Sequence, residues 1–294
     1  MIDLLRDTLK LLWVNTVIVC RMIKIEHSIF ALPFAYIGIF LAADGWPGIK
    51  PFFLLTVAMI AVRSFAMAFN RLVDINIDSE NPRTRTRPLV TGELSTFFTF
   101  CFIAVCAVIF VVACKNMNEL CYKLSYFALG WSAFYSITKR FTKLCHFVLG
   151  SVLGLAPLAG WLCVDPQFTL PAILFFFGVV FWVAGFDILY ATQDRKFDRG
   201  RGLFSIPASL GINKSLTIST FCHVNTGIFF LLAGLSAGLG WIYFTTTAII
   251  AAILVYEHQV ISADDMSRVN MAFFALNGVI SVLLFVGTLF DILI

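Results

Sequence analysis

NRLVDINIDSENPRTRTRP, residues 70–88, decides how the chain is read, because it sets acids, an amide and arginines at the end of a long apolar run. Read as helix, Asn70, Asp74 and Asp78 fall at i, i+4 and i+8 and form one polar ridge that rises about 6 Å per step. Three oxygen-bearing side chains in a row suit a hard divalent cation. Arg83, Arg85 and Arg87 follow within a few residues, where a cation-bound polyanion such as a diphosphate needs further positive charge. A second stretch, DILYATQDRKFD at 187–198, repeats the theme: Asp187, Tyr190, Asp194 and Asp198 lie at i, i+3, i+7 and i+11, again on one helical face. Two such ridges imply one shared site.

The rest of the chain is apolar. Of 294 residues 60% are hydrophobic and only 13% charged, and the mean hydropathy is +0.92, which excludes a soluble globular domain. The expected architecture is an all-α polytopic membrane protein forming a single domain over 1–294. A hydrocarbon core takes roughly 20 helical residues to cross. Nine apolar runs meet that length, at about 25–43, 51–73, 95–114, 121–138, 144–163, 170–190, 215–237, 240–257 and 270–292. Of the 21 Lys and Arg, Lys50, Lys115 and Lys123 fall in loops on one side and Arg63 within a span, which leaves 17 on the other. By the positive-inside rule the N-terminus and both acidic ridges face the cytoplasm, as in a protein of the bacterial inner membrane. Residues 1–22 set Asp3, Arg6, Asp7 and Lys10 on one helical face and Ile2, Leu5, Leu9, Leu12 and Trp13 on another, the pattern of an interfacial helix.

Arg63 stands inside an otherwise apolar span. It faces the same way as Asn70 and Asp74 and lies about 10 Å deeper. An intramembrane charge marks a polar cavity or a partner; Arg63 is either paired with an acid of a neighbouring helix or anchors a substrate carboxylate. Lys139, Arg140 and Lys143 add a second basic loop on the same side, topogenic or ligand-binding. Gly150, Gly154 and Gly160 have the spacing of close helix packing. The eight cysteines form no CxxC pair and read as apolar filling, and His27, His146, His223 and His258 read as packing or interfacial residues. Asp74 and Asp194 are 120 residues apart, as are Asp78 and Asp198, and each pair closes an apolar helix before a basic loop, which suggests a duplicated four-helix unit.

Magnesium is held by a few carboxylates together with substrate phosphates, and ions bridging a diphosphate would use both ridges. A cytoplasmic-side diphosphate site in a membrane calls for a ligand that is itself part lipid. A polyprenyl diphosphate fits, with its head at the ridges and its tail in a Phe-lined groove that shields an allylic cation. NRLVDINID with NPRTRTRPL, and DILYATQD with RKFD, resemble the two Asp-rich signatures of the UbiA superfamily of intramembrane prenyltransferases. KIEHSIFALPFA and YSITKRFT extend the similarity to its 4-hydroxybenzoate polyprenyltransferase group. The resemblance implies nine transmembrane helices around a central cavity, Mg²⁺ dependence, and prenylation of an aromatic ring in quinone (ubiquinone or menaquinone) biosynthesis. It further implies that Asn70, Asp74, Asp194 and Asp198 hold Mg²⁺ with Asp78 close by, that Arg83, Lys139 and Arg140 bind diphosphate, and that Asp187 and Tyr190 lie beside the reacting carbons. Arg71 after Asn70 departs from the NDxxD form of many relatives. A dihydroxynaphthoate is the alternative acceptor, and an ion-coupled transporter is the rival of a different class. No nucleic acid and no obligate protein partner is expected.

Overall fold

A computed structural model describes residues 15–24, 28–261 and 268–294, and among these every regular element is helical. Residues 1–14 of the expected interfacial helix, His27 and the side chain of Asn270 lie outside the described residues. The chain runs through α1 (15–23), α2 (Ser28–Ala42), α3 (Ile49–Val73), α4 (Ile75–Glu80), α5 (Thr96–Met117), α6 (Glu119–Thr138), α7 (Cys145–Val164) and α8 (Leu170–Ala191). It continues with α9 (Arg195–Arg201), α10 (Ile206–Leu210), α11 (Ile212–Ser236), α12 (Trp241–Val260) and the last pass, α13 (Val269–Met271), a π turn (Ala272–Leu276) and α14 (Asn277–Leu293).

Among the described residues, seven helical segments are long and apolar enough to cross a membrane by length and composition. Helices α2 and α6, in the positions of the first and fourth expected spans, are not among them. Both are nevertheless built into the bundle, α2 against α7 and α14, and α6 between α5 and α7. Starts are dictated locally: Ser95 accepts from Phe98 N at 3.1 Å and Asn118 from Cys121 N at 2.9 Å, capping α5 and α6. Along α5 the side chains Phe97, Phe100, Val105, Val108 and Val112 are all exposed, an apolar stripe that suits lipid and not water.

The helices close into a ring: α3 packs on α5, α5 on α6, α6 on α7, α7 on α8 and α2, α8 on α11, α11 on α12, α12 on α14 and α14 on α2. The glycines of α7 make this possible. A Cβ on Gly160 would lie 2.0 Å from the Ala35 carbonyl oxygen, and one on Gly150 would lie 2.4 Å from that of Val180. Backbone thus meets backbone on both sides of α7, as the glycine spacing predicts.

Neither acidic ridge is the continuous helix expected of it. The α3 helix ends at Val73; Asp74 takes φ −96°, ψ 10° and caps it, and α4 restarts at Ile75. In the second ridge α8 stops at Ala191, a 3₁₀ turn covers Thr192–Asp194, Asp194 takes φ −92°, ψ 0°, and α9 restarts at Arg195. The two aspartates 120 residues apart therefore share one sparsely populated backbone conformation, in keeping with a duplicated unit. A break here is tolerated because Arg140 donates to the carbonyl oxygen of Val73 at 2.8 Å, satisfying an acceptor that the continuing helix would have taken up.

Candidate active site

Residues of both ridges line one chamber of about 270 Å³. Asn70, Asp74 and Asp78 line one wall, Asp187, Tyr190, Asp194 and Asp198 the other, and the loops after α4 and α6 close it with Arg83, Arg87, Lys139 and Arg140. Asp74, Asp78, Asp194 and Asp198 are each matched to a cation. Arg140 reaches Asp74 Oδ1 at 2.9 Å, Arg87 reaches Asp78 Oδ2 at 2.5 Å and Lys139 Nζ reaches Asp198 Oδ1 at 2.7 Å. Arg83 grips Asp194 with both Nε and Nη2, and Asn81 adds a donor to Asp194 Oδ1 at 3.1 Å. The pairing crosses between ridges. The loop that follows the first ridge holds Asp194 of the second, and the adjacent residues Lys139 and Arg140 each take an acid from a different ridge.

Burial raises the Asp74 carboxyl above the usual carboxylate range, against the hydrogen bond from Arg140. For Arg83, burial acts to lower the guanidinium, but the bidentate bond to Asp194 outweighs it and the net direction is upward. Five carboxylates (Asp74, Asp78, Asp187, Asp194, Asp198) and five Arg or Lys side chains (Arg71, Arg83, Arg87, Lys139, Arg140) line the chamber, so it is balanced as it stands. A diphosphate brings several negative charges, and its entry upsets that balance unless cations come with it.

That balance, with an oxygen-only donor set, fits magnesium. Among the described residues no three acids converge closely enough to hold an ion by themselves. This agrees with the habit of Mg²⁺ of taking one or two carboxylates and completing its shell with phosphate and water. Asp78, buried and paired with Arg87, lines the same chamber.

A second cavity, about 210 Å³ and almost wholly apolar, continues from the chamber. Met67, Tyr135, Leu149 and Asp187 line both, and Arg63 stands in the deeper one, its Nη2 also donating to Lys24 O at 3.3 Å. Asp187 is thus at the junction of polar and apolar space. Tyr190 is not: its hydroxyl accepts from Arg83 Nη1 at 3.0 Å, and the guanidinium lies 5.2 Å from its ring centroid, at the polar end. Tyr135 occupies the junction in its place.

His146 is the residue that sequence reading missed. It is buried against the site, with Nδ1 2.7 Å from Asp187 Oδ2 and Nε2 accepting from Ile206 N at 3.2 Å. Its only sequence signal is its position, a few residues after the YSITKRFT stretch at the start of α7. The other two described histidines pair with each other, His223 Nδ1 to His258 Nε2 at 3.0 Å, away from the chamber.

Residues 31–279 match the UbiA prenyltransferase family. The chain belongs to that family. It is an integral membrane enzyme of the prenyltransferase class. A 4-hydroxybenzoate octaprenyltransferase from Methylobacillus flagellatus is 29% identical over 86% of this chain and 84% of its own. The mitochondrial 4-hydroxybenzoate polyprenyltransferase of Drosophila melanogaster is 28% identical over 85% of this chain and 64% of its own. Among solved structures, the apo form of a UbiA homologue from Aeropyrum pernix superposes with a TM-score of 0.82 at 32% identity, covering 90% of this chain and 98% of that one. A UbiA homologue from Archaeoglobus fulgidus, solved with GPP and Mg²⁺, shares the fold at 18% identity with a TM-score of 0.73, over 94% of this chain and 100% of its own. Membership of the family sets aside the transporter reading.

Proposed function

We propose that this UbiA-family enzyme transfers a polyprenyl chain from its diphosphate to 4-hydroxybenzoate, with Mg²⁺ at the Asp ridges, in quinone biosynthesis. The observation that carries the reading is the position of Asp187, shared by a charged chamber and an apolar cavity, where a diphosphate head and a prenyl tail would meet. Asn70 and Asp74 on one wall and Asp194 and Asp198 on the other would hold the metal, with Asp78 beside them. Bound there, Mg²⁺ supplies Lewis-acid stabilisation of the departing diphosphate. The acceptor follows from the relatives' names and from Arg63, a guanidinium in the deeper cavity suited to a small carboxylate; the relatives' names disfavour a dihydroxynaphthoate.

Arg83, Lys139 and Arg140 leave their acids for the phosphate oxygens, binding and neutralising the leaving group. The allylic C–O bond breaks with its electron pair on diphosphate, leaving a cation at the prenyl C1. The ring carbon ortho to the phenol attacks C1, forming the C–C bond, and the proton on that carbon passes to Asp187, restoring the aromatic ring. The products are the prenylated acid, diphosphate and one proton. Met67, Leu149 and the ring of Tyr135 exclude water that would quench the cation. The charge distribution along the chain and the bacterial relatives support a bacterial inner-membrane enzyme with its chamber on the cytoplasmic side.

The test is transfer of radiolabelled polyprenyl diphosphate by the purified protein, with and without Mg²⁺, to 4-hydroxybenzoate and to dihydroxynaphthoates. Metal-dependent product with hydroxybenzoate, lost in Asp74→Asn and Asp194→Asn, is expected. Product with a dihydroxynaphthoate alone would overturn the acceptor assignment, and none with any aromatic would overturn the reading.

A further inference from the structure

His146 has no part in the chemistry above, yet it is one of the most enclosed polar side chains near the chamber, with 2% of its surface exposed. Both ring nitrogens are engaged. The backbone N–H of Ile206 can only donate, so Nε2, 3.2 Å away, must carry a lone pair. The proton of a neutral imidazole is then on Nδ1, where it points at Asp187 Oδ2, 2.7 Å away. The tautomer is fixed by a partner that cannot titrate.

The backbone that fixes it is itself tied to the second acidic ridge. Ser205, the residue before Ile206, donates to Asp198 Oδ2 at 3.1 Å and accepts from Ala208 N at 3.2 Å, capping α10. Phe204 N donates to Lys139 O at 2.7 Å, on the same residue whose ammonium group pairs with Asp198. The turn at 204–206 therefore spans from the acids at the polar end of the chamber to the carboxylate at its junction with the apolar cavity.

We infer that His146 is a positioning residue for the ring-deprotonation step: its Nδ1–H holds Asp187 Oδ2, leaving Oδ1 as the oxygen that takes the proton from the attacked ring carbon. This rests on the proposed prenyl transfer, in which Asp187 is the proton acceptor. A carboxylate at the edge of an apolar cavity without that donor is free to rotate and to pair elsewhere, and the proton acceptor is then out of place for most of the lifetime of the bound pair.

Two substitutions separate this role from mere packing, because the amide of Asn occupies the place of Nδ1 and that of Gln the place of Nε2. His146→Asn keeps a donor toward Asp187 and gives up the bond from Ile206. His146→Gln keeps an acceptor for Ile206 and gives up the donor to Asp187. The expected result is that kcat for ring prenylation falls about 10- to 100-fold in His146→Gln, the loss of one hydrogen bond to a charged group, with KM for polyprenyl diphosphate unmoved. His146→Asn should recover most of that loss. In protein labelled with ¹⁵N-histidine, the His146 resonances, assigned by their loss in His146→Gln, should show a neutral ring protonated at Nδ1. A ring protonated at Nε2 or at both nitrogens would overturn the inference. So would Gln outperforming Asn, activity in both variants equal to wild type, or a rise in KM for polyprenyl diphosphate in both, which marks His146 as structural. Wild-type protein inert toward every aromatic acceptor would instead sink the prenyl-transfer reading and the inference with it.

Discussion

Arg83→Ala tests the charge balance of the chamber, because it changes five carboxylates against five cations to five against four. In the resting protein Arg83 is the bidentate partner of Asp194, whose side chain is 9% exposed, while Arg83 itself is 33% exposed. Breaking a fully buried pair costs about 3–5 kcal/mol. Here one partner is a third exposed and Asn81 still donates to Asp194, so screening reduces the expected loss of stability to about 1–2 kcal/mol. A divalent cation can take the place the guanidinium vacates. Mg²⁺ alone, without substrate, should therefore raise the unfolding temperature of Arg83→Ala in detergent more than it raises that of wild type. For the substrate the direction is opposite. Loss of a charge-assisted hydrogen bond to phosphate removes about 1.5–3 kcal/mol, or roughly 10- to 150-fold in KM for polyprenyl diphosphate at saturating Mg²⁺. The assays are a thermal-unfolding series over Mg²⁺ concentration and steady-state kinetics over prenyl diphosphate. If Mg²⁺ stabilises wild type and Arg83→Ala equally, Asp194 is not released for metal by losing its arginine, and the balance argument fails.

Other expectations address separate parts of the site. Asp187→Asn should lower ring prenylation by about 10²- to 10⁴-fold with KM for polyprenyl diphosphate retained; loss of diphosphate affinity as well would assign Asp187 to the polar end. Arg63→Gln should raise KM for a carboxylated acceptor by roughly tenfold or more, measured at saturating prenyl diphosphate, and equal effects on both substrates would remove Arg63 from acceptor binding. Gly160→Ala, whose Cβ meets the Ala35 backbone at 2.0 Å, should destabilise the α2–α7 contact by about 1–3 kcal/mol in thermal unfolding, and an unchanged transition would refute the close approach.

The site's composition was legible in the sequence because its chemistry needs charges, and charges stand out in a chain that is 60% hydrophobic. Asn70 through Asp78 and Asp187 through Asp198 line one chamber, and Lys139 and Arg140 join it, because each is a polar residue at the end of an apolar run. Helical periodicity misjudged what happens at Asp74 and Asp194. Spacing of i, i+4 assumes a continuous helix, whereas at the Asp74 break a tertiary partner, Arg140, takes up the Val73 carbonyl from 67 residues along the chain. The bond from Arg83 to the Tyr190 hydroxyl likewise joins residues 107 apart, which no local pattern couples. His146 was out of reach because a single histidine in an apolar run has no local signature; only the fold brings it to Asp187 and Ile206.

The cross-pairing of acids and bases also says why the ridges should act together. Lys139 and Arg140 are consecutive, and one holds Asp198 while the other holds both Asp74 and the last carbonyl of α3. A polyanion that draws these two cations away releases one acid from each ridge at the same moment, and the acids so released are those assigned to the metal. Phosphate and metal thereby share their costs: either alone leaves buried charges of one sign uncompensated, and both together leave none in excess. Binding should therefore be mutually dependent, with Mg²⁺ and a non-hydrolysable prenyl diphosphate analogue each tightening the other by the same factor. Titration calorimetry of each in the absence and presence of the other measures that factor. Independent affinities would show that the acids are already available to metal, and that the pairs seen between the ridges hold the helices and not the ligand.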